Sequence, residues 1–468
     1  MPAATRAKFP KCLKEPLPAN RMTHRRKITL ALVVPLFLLI LVQIIRDPYF
    51  RPILSPEYWE ILGKTGQVLR IVHANYVEED QASFEDLANE ALDSMVSTLD
   101  KYSHYLPPEQ YENYKKFNRM EYVGIGVQVQ EIEDRVHVIE VFGSGSAAEQ
   151  GILPGDQILS ADGKDVEGMS LGQVVGIIKG PKGTTVGVRV KRNYPEAGTH
   201  SFEVERRDII RESVTNVQIL PPDTGYLHIA KFTDNTPYLL AQALEDLQGQ
   251  GATSLVMDLR GNPGGLLKVC VEVASEFLDD NQLVLSVRSR ENKEGELHKA
   301  KADGRKLELP IVILQDGMSA SASEILSGCL QSYDLAKVVG TQSHGKGTVQ
   351  TVYNLKGDAG MVLTTAKYYL PDDRTVAGEG VTPDYIVEAP EDNQSLVRLS
   401  LMRRSDLTPE QFKETYGVEP VPDPQLDVAL QLLREGTLPE EGTGLDGESQ
   451  EPQETSSVSP SSGNIPSP

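Results

Sequence analysis

The stretch from Pro310 to Tyr353 constrains this chain most, because strand and helix patterns alternate there around tight loops. It predicts a buried strand from Ile311 to Leu314, a helix that opens within Ser-Ala-Ser-Ala-Ser-Glu, and a strand from Ala336 to Gly340. The free N–H groups and the dipole at a helix start favour developing negative charge, so a serine there suits a nucleophile. Ser321 with Glu324 also fits a capping box, and on the serine alone that structural interpretation stays open.

The first 46 residues differ from the rest of the chain in charge. They hold nine Lys or Arg residues and one acid, a net charge of +8, so the remainder carries −29 of an overall −21. This strongly acidic remainder argues against nucleic acid as a partner, because nucleic-acid binding needs a positively charged surface.

Between Lys27 and Arg46 lie 18 residues without a charge. As a helix they span about 27 Å, close to the hydrocarbon core of a bilayer. The run is long for a signal peptide, no small-x-small cleavage site follows, and its basic flank precedes it. We therefore expect an uncleaved signal anchor over residues 28–45, with 1–27 in the cytoplasm and the rest of the chain outside. A cleaved signal peptide and a buried helix are the alternatives.

Two loops of the region 225–350 each follow a predicted strand and precede a predicted helix: residues 260–265 and 316–321. In a mostly parallel sheet with right-handed crossovers, both loops open at the carboxyl edge of the strands. The N–H groups of Gly265 and Ala322 are then candidates for a two-donor oxyanion hole, since glycine leaves room for a substrate carbonyl. Glycines that serve only helix–strand packing are the alternative.

A serine hydroxyl needs a base, and the candidates that follow the helix are His344 and Lys346. Lys346, Thr348 and Gln350 alternate into a predicted strand, so they share one face. A lysine acts as a base only when burial lowers its pKa from about 10.4. The Gln350 amide oxygen could then accept a hydrogen bond from the Lys346 amine. A surface lysine in a glycine-rich turn is the alternative.

The cysteines give no sign of a metal site. Cys12 precedes the anchor, and Cys270 and Cys329 lie on the apolar side of predicted helices, which favours buried thiols over a disulfide. Zinc-type spacing is absent from the sequence, so we expect neither a metal nor another cofactor.

Two resemblances are carried by specific motifs. AEQGILPGDQILSADG resembles the core signature of PDZ domains, which bind a C-terminal carboxylate in a backbone nest. By that analogy the loop Gly124, Ile125 and Gly126 holds the carboxylate, and the helix from Ser170 walls the groove. Six further motifs, taken together and in this order, resemble the carboxy-terminal processing peptidases, also called tail-specific proteases. They are LDKYSHYLPPEQY, GYLHIAKFTDNT, LVMDLRGNPGGLL, SASASE, VVGTQSHGKGTVQ and YYLPDDRTVAGEGVTPD.

That resemblance implies a serine–lysine endopeptidase. It makes Ser321 the nucleophile, Lys346 the general base and Gln350 the residue that orients the lysine, with Gly265 and Ala322 as the oxyanion hole. His344 departs from the aromatic or apolar residue expected there and leaves a Ser–His hydrolase as an alternative. A catalytically inactive PDZ scaffold is the other alternative.

The expected fold is multidomain α/β and α+β, with a peptidase core like that of crotonases and Clp proteases. The expected regions are a basic segment 1–27, a membrane anchor 28–45, a helical N-terminal region 46–118, a PDZ domain 119–207, a serine peptidase core 208–390, a helical region 391–435 and a disordered acidic tail 436–468. The expected partners are protein C-termini and the membrane. An adaptor or a second copy of the chain stays open. The expected location is the inner membrane, with the catalytic domain facing the periplasm or another extracytoplasmic side.

Overall fold

A computed structural model describes residue 33 and residues 50–301, 306–390 and 394–435. The predicted segments 1–27 and 436–468 lie outside these residues, as does the predicted anchor 28–45 apart from Val33. Within the described ranges, no helix is long and apolar enough to cross a membrane. The chain forms two compact units, one up to Met95 and one from Val96.

The first unit contains helix α1 (Pro56–Asn75) and nearly all of helix α2 (Phe84–Ser97), which the apolar spacing predicts. Ser83 caps α2 as expected, since its Oγ accepts the Asp86 N–H at 3.0 Å. The cap satisfies one of the N–H groups that the first turn of a helix leaves without a backbone partner.

The second unit begins with a short strand, β1 (His104–Leu106), and helix α3 (Pro108–Asn118), which has a proline in its first turn. Strand β1 pairs antiparallel with residues 360–362. It interrupts the region 46–118 that we expected to be helical. Three residues carry no usable periodicity, and the partner strand lies about 250 residues further along the chain.

Residues 121–210 form a small α+β domain. Its elements are β2 (Glu121–Gly124), β3 (Val127–Ile132), β4 (Arg135–Val141), α4 (Ser146–Gln150), β5 (Gln157–Ala161), β6 (Lys164–Asp165), α5 (Leu171–Ile178), β7 (Thr185–Arg192), β8 (Gly198–Glu205) and β9 (Arg207–Ile210). The main sheet has the order β3-β4-β5-β7-β8, with β6 on β5, while β2 pairs with β9. Every second residue of β7 points inward, and Val186, Val188 and Val190 are buried. Strand β3 lies at the edge of its sheet, and α5 packs beside it.

From Val214 the chain alternates strands and helices. The elements are β10 (Val214–Leu220), β11 (Thr224–Ile229), α6 (Thr236–Gly249), β12 (Ser254–Asp258), α7 (Leu267–Ser275), β13 (Leu283–Ser289), β14 (Glu296–Lys299), β15 (Ile311–Gln315), α8 (Ala322–Ser332), β16 (Ala336–Gly340), β17 (Thr348–Asn354), β18 (Gly360–Tyr369) and β19 (Tyr385–Ile386).

These strands form two sheets. The first has the order β10-β11-β12-β15-β16-β19 and is parallel from β11 onward, as the α/β pattern predicts. All five residues of β12 and of β15 are buried, which is typical of parallel strands covered on both faces. The second sheet is antiparallel, with the order β1-β18-β13-β14 and β17 paired along the other edge of β18.

Helices cover both faces of the parallel sheet. On one face, α6, α7 and α8 contribute to the largest buried apolar cluster. On the other lies the last of three C-terminal helices, α9 (Gln394–Arg403), α10 (Pro409–Tyr416) and α11 (Pro424–Glu435). Leu426 and Ala429 of α11 pack against Val256 and Val312. Helix α11 is therefore part of the core that positions the sheet edge.

Candidate active site

The loops after β12 and β15 lie together at the carboxyl edge of the parallel sheet, as the sequence predicts. The Ala320 N–H donates to Asn262 O at 3.0 Å, and the Gly261 N–H donates to Asp316 Oδ1 at 2.9 Å. Because β12 and β15 are parallel neighbours, their ends bring these two loops to one place.

The three serines of the loop before α8 have different surroundings. Ser319 Oγ donates to Leu259 O at 2.8 Å, and Ser323 Oγ donates to Asn262 O at 3.0 Å. The Ser321 hydroxyl faces the Glu324 N–H in a capping-box arrangement, but without a formed side-chain hydrogen bond. Ser321 has φ 56° and ψ −111°, a backbone conformation that a residue with a side chain adopts only under strain. Of the three hydroxyls, only that of Ser321 donates to no acceptor in the described part of the chain.

Two backbone N–H groups beside Ser321 have no hydrogen-bond acceptor in the described part of the chain, those of Gly265 and Ala322. The backbone of Phe232 binds the residues on both sides of Gly265. The Phe232 N–H donates to Gly264 O at 3.0 Å, and the Phe232 carbonyl accepts from the Leu266 N–H at 2.9 Å. A Cβ on Gly264 would lie 2.9 Å from the Ser321 Cβ and from the Ala322 nitrogen. Only glycine therefore permits this close approach of the two loops.

Glu324 does more than cap α8. Its side chain is fully buried and accepts four hydrogen bonds: from the Ser321 N–H at 2.7 Å, Ser343 Oγ at 2.6 Å, and the N–H groups of Gly345 at 2.6 Å and Lys346 at 2.9 Å. One carboxylate thus holds the backbone of both the serine and the lysine.

Lys346 is half-buried, and its ammonium lies over the Tyr102 ring, 4.9 Å from the ring centroid. Burial lowers the pKa of Lys346 below that of an ordinary lysine, and the charges of Glu324 and Asp100 oppose this shift in part. Among the described residues, no hydrogen bond joins the Lys346 amine to Ser321 or to Gln350.

The contacts of Gln350 differ from those predicted. Its Nε2 donates to Thr348 Oγ1 at 2.8 Å and to Thr364 Oγ1 at 3.2 Å. The predicted hydrogen bond from the Lys346 amine to the Gln350 oxygen is not formed. The pairing of β17 with β18 shifts register between Val349 and Gln350, which period-2 alternation cannot anticipate.

One cavity of about 370 Å³ collects the predicted catalytic residues. Its lining includes Ser321, Lys346, Gln350, Gly265 and Ala322. His344 is exposed, is not among the lining residues, and donates its backbone N–H to Ser319 O at 3.0 Å. The geometry therefore favours the lysine over the histidine as the partner of the serine.

The cavity also contains a second lysine that sequence reasoning missed. Lys231 is 6% exposed, and burial lowers its pKa to about 8. It follows β11, whose carboxyl end opens at the same sheet edge as the two loops. This position is the signal that could have identified it.

A buried ionic network lies behind the loop 260–265. Arg260 Nη2 contacts Asp258 Oδ2 at 2.5 Å and Asp423 Oδ2 at 2.8 Å, and its Nη1 donates to Gln425 Oε1 at 3.0 Å. Burial raises the pKa of Asp258, but the Arg260 cation outweighs burial, so the net shift is downward. The network joins the C-terminal helix α11 to the loop 260–265.

The two cysteines of the core are buried free thiols, as predicted. Burial raises the pKa of the Cys329 thiol to about 12. Cys270 Sγ donates to the Ala322 carbonyl at 3.2 Å. Both thiols, one on α7 and one on α8, are thus unreactive packing groups.

The loop predicted to hold a carboxylate has two N–H groups, those of Ile125 and Gly126, without an acceptor in the described chain. Gly126 has φ 87°, and a Cβ there would lie 2.4 Å from the Gly145 Cα. With the free edge of β3 and helix α5 beside it, the loop has the geometry of a peptide groove.

Comparisons with known proteins agree with this architecture. The sequence model of Peptidase family S41 matches residues 223–387, and that of a PDZ domain matches residues 123–205. A carboxy-terminal-processing protease of Bartonella bacilliformis is 34% identical over 342 residues, 70% of this chain and 75% of that protein. A carboxyl-terminal-processing protease of Synechocystis sp. is 34% identical over 314 residues, 64% of this chain and 71% of that protein.

A solved structure of a Bacteroides fragilis protein assigned to the S41 proteases has a TM-score of 0.53 at 17% identity. The match covers 79% of this chain and 97% of that one, and it is a likeness of fold. Together with the family matches, it confirms a PDZ domain joined to a peptidase core of mixed α/β fold.

Proposed function

Because this chain belongs to peptidase family S41 and is a serine-type endopeptidase, we propose that it cuts protein substrates near their C-termini with a Ser–Lys dyad. The observation that carries the dyad is the free Ser321 hydroxyl, in one cavity with a desolvated lysine and two unbonded N–H groups. The site of cutting is proposed from the names of the relatives, which process carboxyl termini.

The mechanism begins with neutral Lys346, which takes the Ser321 proton as Oγ attacks the scissile carbonyl carbon. The N–H groups of Gly265 and Ala322 hold the oxyanion. Protonated Lys346 gives its proton to the leaving amine as the C–N bond breaks, and water then hydrolyses the ester on Ser321. For the first step the Lys346 amine leaves the Tyr102 ring and approaches Ser321. Gln350 orients it there.

In this proposal the PDZ domain captures the substrate's C-terminal carboxylate on the N–H groups of Ile125 and Gly126. The substrate then adds as a strand to the free edge of β3. A substrate whose C-terminus is amidated tests this capture. Its KM should be higher than the KM of the same substrate with a free C-terminal acid. Equal KM values would remove the carboxylate from the proposal.

We place the catalytic unit outside a membrane and the anchor in residues 28–45. The uncharged run and its basic N-terminal flank support this topology. Protease added to intact cells or spheroplasts degrades the catalytic unit if it faces outward. Protection until the membrane is lysed would contradict the topology.

The dyad is tested with the full chain in detergent, a partly unfolded protein substrate, and three variants. Ser321→Ala and Lys346→Ala each reduce cleavage by at least about 10³-fold, since each removes a member of the reacting pair. His344→Phe is the matched variant at an exposed neighbour and retains cleavage. Loss of activity in His344→Phe with activity kept in Lys346→Ala would instead establish a Ser–His hydrolase. Turnover by no form, with peptide still bound, would indicate an inactive scaffold.

A further inference from the structure

Lys231 is a buried cation in the wall of the catalytic cavity, and the proposed mechanism gives it no role. Its Nζ donates to Phe117 O at 3.0 Å and to Asn118 Oδ1 at 3.1 Å. The ammonium also lies 3.6 Å from the centroid of the Phe117 ring. Carbonyl groups at the end of a helix carry partial negative charge, so the end of α3 holds the ammonium in place.

All of these partners are neutral. Within the described residues, no carboxylate lies in ion-pair distance of Lys231, and burial alone accounts for the lowering of its pKa. An ammonium has three N–H donors, of which Lys231 uses two. A buried cation without a counter-ion is costly, and an anionic ligand would relieve that cost.

Arg206 shows how a structural cation is satisfied in this chain. It is also 6% exposed and has neutral partners, and its guanidinium donates to the carbonyls of Ile177, Ile178 and Thr185 and to Thr184 Oγ1. Arg206 does not line the catalytic cavity. Each cation leaves one N–H donor unused, but Lys231 differs because it borders the space that a substrate enters.

We propose that Lys231 is a carboxylate-binding subsite, which receives an acidic side chain or the terminal carboxylate of the substrate beside the scissile bond. The inference rests on the proposed function, since it assigns charge selectivity to the same cavity. Lys231 directly precedes Phe232, whose backbone holds the oxyanion-hole residue Gly265. A carboxylate bound there is therefore close to the reacting carbonyl, and Lys231 selects which peptide bond is placed at Ser321.

The test uses the full chain in detergent and a peptide series that carries Glu, Gln or Lys at each position flanking the cut. The wild type cleaves the Glu peptide at one position about tenfold faster in kcat/KM than its Gln counterpart, the scale of a hydrogen bond to a charged group. Lys231→Gln brings this ratio to about 1, and Lys231→Arg retains a preference. Lys268→Gln removes an exposed charge on α7 and is the matched control, with the ratio unchanged.

A second set of peptides, ending in a free acid or an amide, separates the two sources of the carboxylate. A preference for the free acid that disappears in Lys231→Gln assigns the terminal carboxylate to Lys231. A preference that survives in Lys231→Gln belongs to the PDZ loop instead.

The wild type alone provides a measurement that does not depend on a variant folding. Lys231 is charged below its pKa of about 8, so the Glu/Gln ratio is largest at pH 6.5 and falls as the pH rises through 8. A ratio that neither pH nor Lys231→Gln alters, while Ser321 remains essential, would overturn the subsite and leave the peptidase intact. A uniform loss for all peptides would mean that Lys231 only caps α3. Cleavage that persists in Ser321→Ala would overturn the proposed function itself.

Discussion

Two sets of buried charge surround the catalytic cavity, and they are partnered in opposite ways. Glu324 accepts four hydrogen bonds, and Arg260 binds the carboxylates of Asp258 and Asp423. Lys346 and Lys231 also lie in low-dielectric surroundings, but neither has a carboxylate in ion-pair distance within the described residues. The first set fixes backbone, whereas the second set faces the substrate space.

The difference distinguishes charges that hold the fold in place from amines that are available for reaction or binding. A buried charge whose hydrogen bonds are all made is held in one place, and removing its partner is costly. A buried amine without a counter-ion has a lowered pKa, so it is available as a base or as a ligand for an anion. The predictions below change one partner at a time.

Among the groups that surround the reacting pair, the largest effect is expected at Glu324. In Glu324→Gln the amide N–H group faces N–H donors, so part of the four-bond set is lost and both the serine and the lysine shift. Cleavage should fall by at least about 100-fold, the scale of losing an oxyanion donor. The free energy of unfolding in urea should fall by about 2–4 kcal/mol. Glu379→Gln, an exposed neighbour on the facing loop, should change neither. Unaltered cleavage by Glu324→Gln would show that the carboxylate does not hold the site.

A smaller loss of activity is expected at Asp423, which lies behind the site. Asp423→Ala leaves Arg260 buried with one carboxylate, which should lower the unfolding free energy by about 3–5 kcal/mol. Cleavage by the folded fraction should fall about tenfold through kcat, because the loop 260–265 loses its support. The control is Asp427→Ala, one turn further along α11 and exposed. If Asp423→Ala kept both wild-type stability and wild-type kcat, the ionic network would not support the active site.

The smallest effect is a displacement of the pH profile by Asp100→Asn. The Asp100 charge raises the pKa of Lys346, against the larger effect of burial. Because the base must be neutral, activity rises with pH as Lys346 loses its proton. Removing the Asp100 charge lowers that pKa, so the acid limb of the kcat profile should move to lower pH. Asp80→Asn, an exposed change in the other unit, should leave the limb in place. A shift to higher pH would contradict the assignment of Lys346 as the base.

Much of the peptidase core follows from local patterns. The apolar runs at Ile311–Leu314 and Ala336–Gly340 are buried parallel strands, and right-handed crossovers bring the loops 260–265 and 316–321 together. The cap formed by Ser83 is likewise visible in sequence. The choice of Ser321 over Ser319 and Ser323 came from the family resemblance. The hydrogen bonds of the two flanking hydroxyls support that choice.

The features that the sequence did not predict depend on contacts between residues far apart along the chain. Asp423 reaches Arg260 across 163 residues. Glu324 reads as a local cap, because its bonds to Gly345 and Lys346 come from a loop 21 and 22 residues further on. Lys231 looks like an ordinary charge at a strand end until α3 packs against it. Local periodicity carries no information about such pairings.

The pairing of Arg260 with α11 has a consequence for how the enzyme is made. The loop that carries Gly265 is synthesised well before Asp423 and the helix that follows it. A growing chain therefore exposes Arg260 without its second carboxylate until residue 423 has left the ribosome. A nascent or prematurely terminated chain is therefore expected to hold the loop 260–265 less firmly, as Asp423→Ala should. The order of synthesis makes full stability of this loop depend on the last described helix.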